Sequence, residues 1–198
     1  MVSSLISGLI GSIIGGLIAG FFSLRAVSNA EEADRKKRTE VDAKIILSLL
    51  QALHDELDSV FATYQERIGA RVEALPEGQP LLFYYPVIND FFTVYNANAY
   101  LIGRIENNDL RKALVQTYVL AKGMVDSFRM NNELLSKFEH WHALAAETNN
   151  PVHKQNAKDR FSNLASYATQ IRKGHIETKK SLSELMRMMH KHGVLHEA

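Results

Sequence analysis

The stretch 108-NDLRKALVQTYVLAKGMVDSFRMNNELLSKFEHW-141 decides the fold. Its large apolar residues Leu110, Leu114, Tyr118, Val125, Phe128, Leu135, Phe138 and Trp141 recur at spacings of three, four and seven. Such spacings return to one face of an α-helix and do not alternate as a strand would. Asn108 with Asp109 opens this helix. Downstream, Asn150 followed by Pro151 pairs an N-cap with a first-position proline and starts another. That helix carries Phe161, Leu164, Ala168, Ile171, Leu182, Leu185 and Met189 on its buried stripe, and Gly193 closes it. Upstream, Val41, Ile45, Leu49, Leu53, Leu57, Val60, Phe61, Tyr64 and Ile68 mark a long first helix, stopped by the Pro- and Gly-bearing residues 75–80. Pro86 suits the first turn of a shorter second helix that ends at Ile102, with Gly103 as its cap. Short connections favour antiparallel neighbours.

The N-terminus adds a different pattern. Residues 3–22 read SSLI-SGLI-GSII-GGLI-AGFF, two small residues and then two large apolar ones in each unit. An uncharged run of about 20 residues is long enough to cross a bilayer as a helix. Small residues four apart let membrane helices approach closely, and a period above 3.6 implies right-handed crossings. Ser4, Gly8, Gly11, Ser12, Gly15, Gly16 and Gly20 form the expected oligomerisation rows, and a second copy is the simplest partner. The missing basic n-region and the length of the run argue against a cleaved signal. Arg25, Arg35, Lys36, Lys37 and Arg38 follow the run and none precedes it, so the positive-inside rule puts the N-terminus outside and the body in the cytoplasm. Absence of cysteine agrees with a reducing compartment. Ser28-x-x-Glu31 reads as a capping box that separates this helix from the next.

The expected architecture is therefore all-α: an N-terminal transmembrane helix followed by an antiparallel, up-down four-helix bundle. Its domains are residues 1–27, a charged stalk at 28–40 and a bundle at 41–198. Lengths raise one difficulty. The first, third and fourth helices run about 60 Å and the second about 25 Å. The gap calls for the segment before Pro86, a helix break or a neighbouring subunit.

Residues 95–105 (YNANAYLIGRI), with 114–118 (LVQTY) after them, resemble a stretch in uncharacterised bacterial single-pass membrane proteins. The resemblance implies a bacterial inner-membrane protein with one N-terminal span and a helical cytoplasmic body. It implies no activity, cofactor or catalytic residue. Physically, Gly103 supplies a helix stop, and Asn96 and Asn98 can bond to a nearby turn or across the bundle.

Candidate chemistry fails on spacing. A di-iron bundle needs two Glu-x-x-His motifs, and only Glu139-x-x-His142 occurs. His140 with His142, and His190 with His192, are two apart, fall on different helix faces and chelate poorly, and His196 falls at a fraying C-terminus. There is no phosphate loop, HExxH, cysteine nucleophile or Gly-x-Ser-x-Gly elbow. With 23 Lys and Arg against 22 Asp and Glu, no bulk basic field points to nucleic acid. The basic run at 35–38 starts about 16 Å past the apolar run, against a Debye length near 8 Å, so it fixes topology more than it binds lipid. The aromatic run at 81–85 either fills the gap beside the short second helix or offers Phe83, Tyr84 and Tyr85 to a protein partner.

These features describe a non-enzymatic, membrane-anchored, self-assembling helical protein, a scaffold or membrane-perturbing effector. The alternative is a tethered sensor or adaptor whose bundle binds a protein. Membrane lipid, a homo-oligomer and a protein partner are the expected contacts. No nucleic acid, small-molecule substrate or cofactor is expected.

Overall fold

The computed structural model describes the backbone of residues 2–87 and 91–194, and the side chains of residue 23 and of residues from 25 onward within those ranges. Among the described residues all regular structure is helical. Helix α1 (Val2–Tyr64) passes through one π-helical turn (Gln65–Gly69) into α2 (Ala70–Ala74). After an extended strap come α3 (Thr93–Ala97) and α4 (Ala99–Ile102), then the long α5 (Asn108–Thr148) and α6 (Pro151–Lys191). The chain divides into two compact units, residues 1–47 and 48–198.

In the first unit the chain stays helical through Ser28. The expected capping box is corrected here, because inside a continuous helix the backbone N–H groups already have partners and leave none to cap. From Arg25 to Ile45 every side chain is exposed. Val41 and Ile45, read as core, are 49 % and 41 % exposed. Lys36 pairs with Glu32 at 3.1 Å, one turn apart on a solvated surface. Among the described residues no helix is long and apolar enough to cross a membrane. This finding overturns the placement as a single-pass inner-membrane protein with its N-terminus outside and its body in the cytoplasm. The orientation inferred from Arg25, Arg35, Lys36, Lys37 and Arg38 falls with it. The rows of Ser4, Gly8, Gly11, Ser12, Gly15, Gly16 and Gly20 lie outside the described side chains.

The second unit is a helical bundle built on the α5–α6 hairpin. Each helix has 41 residues, about 60 Å at the α-helical rise. Only Asn149 and Asn150 join them. Asn149 takes a left-handed φ of 53°, which its short amide tolerates better than most residues, and its N–H closes α5 on Ala145. The Asn150 side chain then accepts from Val152 N–H at 2.8 Å to start α6. At the other end, the Asn107 side chain caps α5 through Leu110 N–H. The cap therefore lies one residue before the Asn108 start. Thr117 meets Ser181 at 2.8 Å and Phe138 meets Phe161, an antiparallel register. Leu110, Leu114, Tyr118, Phe128 and Leu135 on α5 are buried, as are Leu164, Ala168, Ile171, Leu185 and Met189 on α6. Phe161, read as core, is 38 % exposed.

The expected second helix is the main departure from four-helix geometry. Residues 86, 87, 91 and 92 are not helical, and two short helices follow from residue 93 to 102. Pro80 and Pro86 lack N–H donors and push the residues before them toward extended conformations. Gly78, at φ 74°, serves a turn closed by Gln79 N–H on Pro76 carbonyl. The strap at 81–87 then packs on α5, so the segment before Pro86 fills the gap that the helix lengths leave. Leu81 and Tyr85 join Ile68, Val72, Met124, Phe128, Ala168 and Ile171 in one apolar cluster.

Leu114→Ala is expected to cost about 2–5 kcal/mol in urea unfolding, since it deletes buried volume. Val41→Ala is expected to stay within about 0.5 kcal/mol, the range for exposed sites. Equal losses would contradict the burial pattern.

Candidate functional site

From Leu49 to Leu57 the core positions of α1 are four residues apart, and each such step drifts about 40° around an α-helix. The π turn widens the helix where that drift would carry the stripe off the core. Tyr64, Ile68 and Val72 thereby keep facing inward, with Ile68 and Val72 fully buried. A Cβ on Gly69 would meet the end of the Gln65 side chain, which would have to swing aside. Wide turns of this kind recur at functional sites.

Beside the turn lies an apolar cavity of about 330 Å³. Leu57, Val60, Phe61 and Tyr64 of α1 form one wall, and Ala121, Met124, Val125 and Phe128 of α5 form another. Tyr85 and Pro86 of the strap, Phe91, Phe92 and Leu182 complete it. Its threonine hydroxyls are spent: Thr63 bonds Ser59 carbonyl, Thr178 bonds Gly174 carbonyl, and Thr117 bonds Ala113 carbonyl and Ser181. Arg67 is the one charged residue among the described lining.

Tyr64 connects the cavity wall to a polar chain. Its hydroxyl lies 2.7 Å from Nδ1 of His175, which is 1 % exposed. His175 Nε2 lies 2.9 Å from Glu73 Oε1, which also takes Lys179 Nζ at 2.6 Å. A carboxylate only accepts, so Nε2 donates to Glu73, and Nδ1 of the neutral ring accepts from Tyr64. The bond from Lys179, then that from His175, holds the Glu73 carboxyl at about 2, below its usual 4.5. Burial, followed by the charges of Tyr85 and Glu73, raises the Tyr64 phenol. It stays a neutral donor.

Two further anchors shape the cavity. Asn132 takes Tyr85 N–H on Oδ1 at 3.1 Å and gives Nδ2 to Tyr85 carbonyl at 2.8 Å. Asn131, fully buried, donates to the carbonyls of Leu81 and Phe83. The two amides thus serve the strap as a neighbouring strand would. On the far side, the Glu56 carboxylate accepts from the N–H groups of Val94 and Tyr95 and from Tyr118 hydroxyl. This holds the start of α3, where Phe92 sits at a left-handed φ of 64° and turns its ring edge-on against Tyr118. A bulky residue pays strain for that conformation. Burial and the Glu56 bond compensate.

The predicted aromatic surface is divided by this arrangement. Tyr85 is buried against Phe128, so it is not free for a partner. Phe83 lies under the Arg71 guanidinium, and only Tyr84 is exposed, its hydroxyl on Glu139 at 2.7 Å. Asn98 bonds locally to Val94, and Asn96 reaches across to Lys122. Arg67, Glu73, Asn131, Asn132 and His175 went unread in sequence. The available signal was polar residues in register with apolar stripes, as His175 is with Ile171 and Leu182.

Glu73 gives a pH test. Its folded pKa lies below its unfolded value, so its stabilisation is complete above pH 4.5 and is lost as pH falls toward 2. The difference in Tm between wild type and Glu73→Gln is expected to be constant from pH 7 to 5 and to shrink below 4.5. A difference that holds to pH 2 would show that the Lys179 and His175 bonds do not favour the charged form. Comparison with protein-family models, curated proteins and solved structures finds no match for this chain.

Proposed function

We propose that residues 48–198 form a non-enzymatic sensor or adaptor bundle that binds a small apolar molecule in the cavity beside the π turn. The cavity itself carries the reading. Apolar clefts and cavities of about 300 Å³ and upward, with a few fixed polar groups, are the usual form of a ligand site. The cavity is partly open, so a small molecule can reach its apolar lining. Tyr64 gives occupancy a route outward. A ligand against its ring bears on the hydroxyl, hence on His175 and on the Glu73–Lys179 pair that ties α2 to α6. A ligand shifts such a coupling only through differential contact, and Tyr64 is where that contact falls. The self-assembly reading concerns residues 3–22 and draws nothing from this geometry.

The neutral dye N-phenyl-1-naphthylamine tests the site. Saturable fluorescence enhancement is expected with the full chain. Ala121→Trp, which puts an indole into the cavity from α5, is expected to weaken it at least tenfold while the helical circular dichroism stays unchanged. Enhancement that survives Ala121→Trp would place the dye elsewhere and overturn the reading.

A further inference from the structure

The cavity also carries a signature of what enters it. The Thr63, Thr117 and Thr178 hydroxyls of its lining bond helix carbonyls and that of Tyr64 meets His175, so the interior offers a guest little beyond apolar contact. Arg67 stands on the π turn with its side chain exposed, and no carboxylate among the described residues pairs with it. On the strap, Tyr85 is anchored through its backbone by Asn132, while its hydroxyl has no hydrogen-bond partner among the described residues. Both residues line the cavity. A guanidinium and a phenol that line one apolar cavity are both donors, and no carboxylate stands beside them in the described lining. They suit a small anion on an apolar chain, and a guanidinium matches a carboxylate by its forked geometry.

We propose that the cavity takes a single-chain carboxylate amphiphile, its tail between α1 and α5 and its carboxylate on Arg67 and Tyr85. This deepens the ligand-site reading and rests on it. A volume of about 330 Å³ suits one short chain and is small for a two-chain lipid. A cationic head meets Arg67 and is repelled. A neutral alcohol gains the tail contact alone.

Decanoate, decanol and decyltrimethylammonium are compared at pH 7.5, below their micellar concentrations, as competitors of N-phenyl-1-naphthylamine on the full chain. Decanoate is expected to displace the dye at about tenfold lower concentration than decanol, the effect of one charge-assisted bond, and the ammonium to be weakest. Arg67→Met is expected to erase the preference and leave decanol unchanged. Arg67→Lys keeps the charge and is expected to retain part of the preference. Equal displacement by decanoate and decanol in the wild type overturns the head-group assignment and leaves the cavity reading standing. Preference that survives Arg67→Met also overturns the assignment. A dye that binds but yields to none of the three rules out a single-chain guest. Absence of saturable dye binding defeats the cavity reading and this inference together.

Discussion

The length of the α5–α6 hairpin sets the terms for everything that packs on it. Two 41-residue helices joined by two residues present an apolar stripe about 60 Å long. The end of α1, the π turn and α2 cover part of it, and the chain then has to reach Phe128 and beyond without another long helix. An extended strap does so, but it brings backbone N–H and C=O groups against a helix that has none to spare. Each polar group buried without a partner costs about 1–3 kcal/mol. Asn131 and Asn132 meet that demand from within α5. The strap depends on those two amides, and the cavity roofed by Tyr85 and Pro86 depends on the strap.

The π turn plays the corresponding part on the other wall. Gln65–Gly69 interrupts α1 where the apolar stripe would rotate away. Tyr64 before it and Ile68 within it both face inward as a result. The same turn puts Arg67 at the cavity and brings Tyr64 to His175. A local change of helical pitch therefore arranges an apolar wall, a cation and a buried histidine in a few residues. Glu56 secures the opposite side by holding the first amides of α3, which lets Phe92 keep a backbone conformation it would otherwise leave.

Periodicity made the long helices legible. Leu110, Leu114 and Tyr118 on α5, and Leu164, Ala168 and Ile171 on α6, are buried as their spacing indicates, and Asn150 with Pro151 opens α6. Legibility ended where tertiary contact outweighs local preference. The residues around Pro86 carry a helix-start signal, yet Asn132, 47 positions away from Tyr85, holds them extended. Val41 and Ile45 continue the stripe of Leu49 and Leu53, but periodicity cannot say where along a helix burial begins. The cavity left no trace in the pattern, because its walls are ordinary apolar residues and its shape comes from the π turn and the strap. His175 and Asn131 were readable in principle, as polar residues in register with a core stripe.

The two-residue turn at Asn149 and Asn150 also orders events in time. Contacts near it, such as Trp141 with His153, span few residues and cost little chain entropy to close. Pairing can spread outward from there as a zipper, each step adding contacts of modest sequence separation, which is the condition for rapid helical folding. The strap belongs to the other end of that sequence. Asn132 can grip Tyr85 only once α5 exists, and the closure spans 47 residues. The roof of the cavity is thus assembled late and rests on few bonds. An element held by few bonds at the edge of a bundle is expected to open at a free energy below that of global unfolding, which would widen the access that the partly open cavity already has.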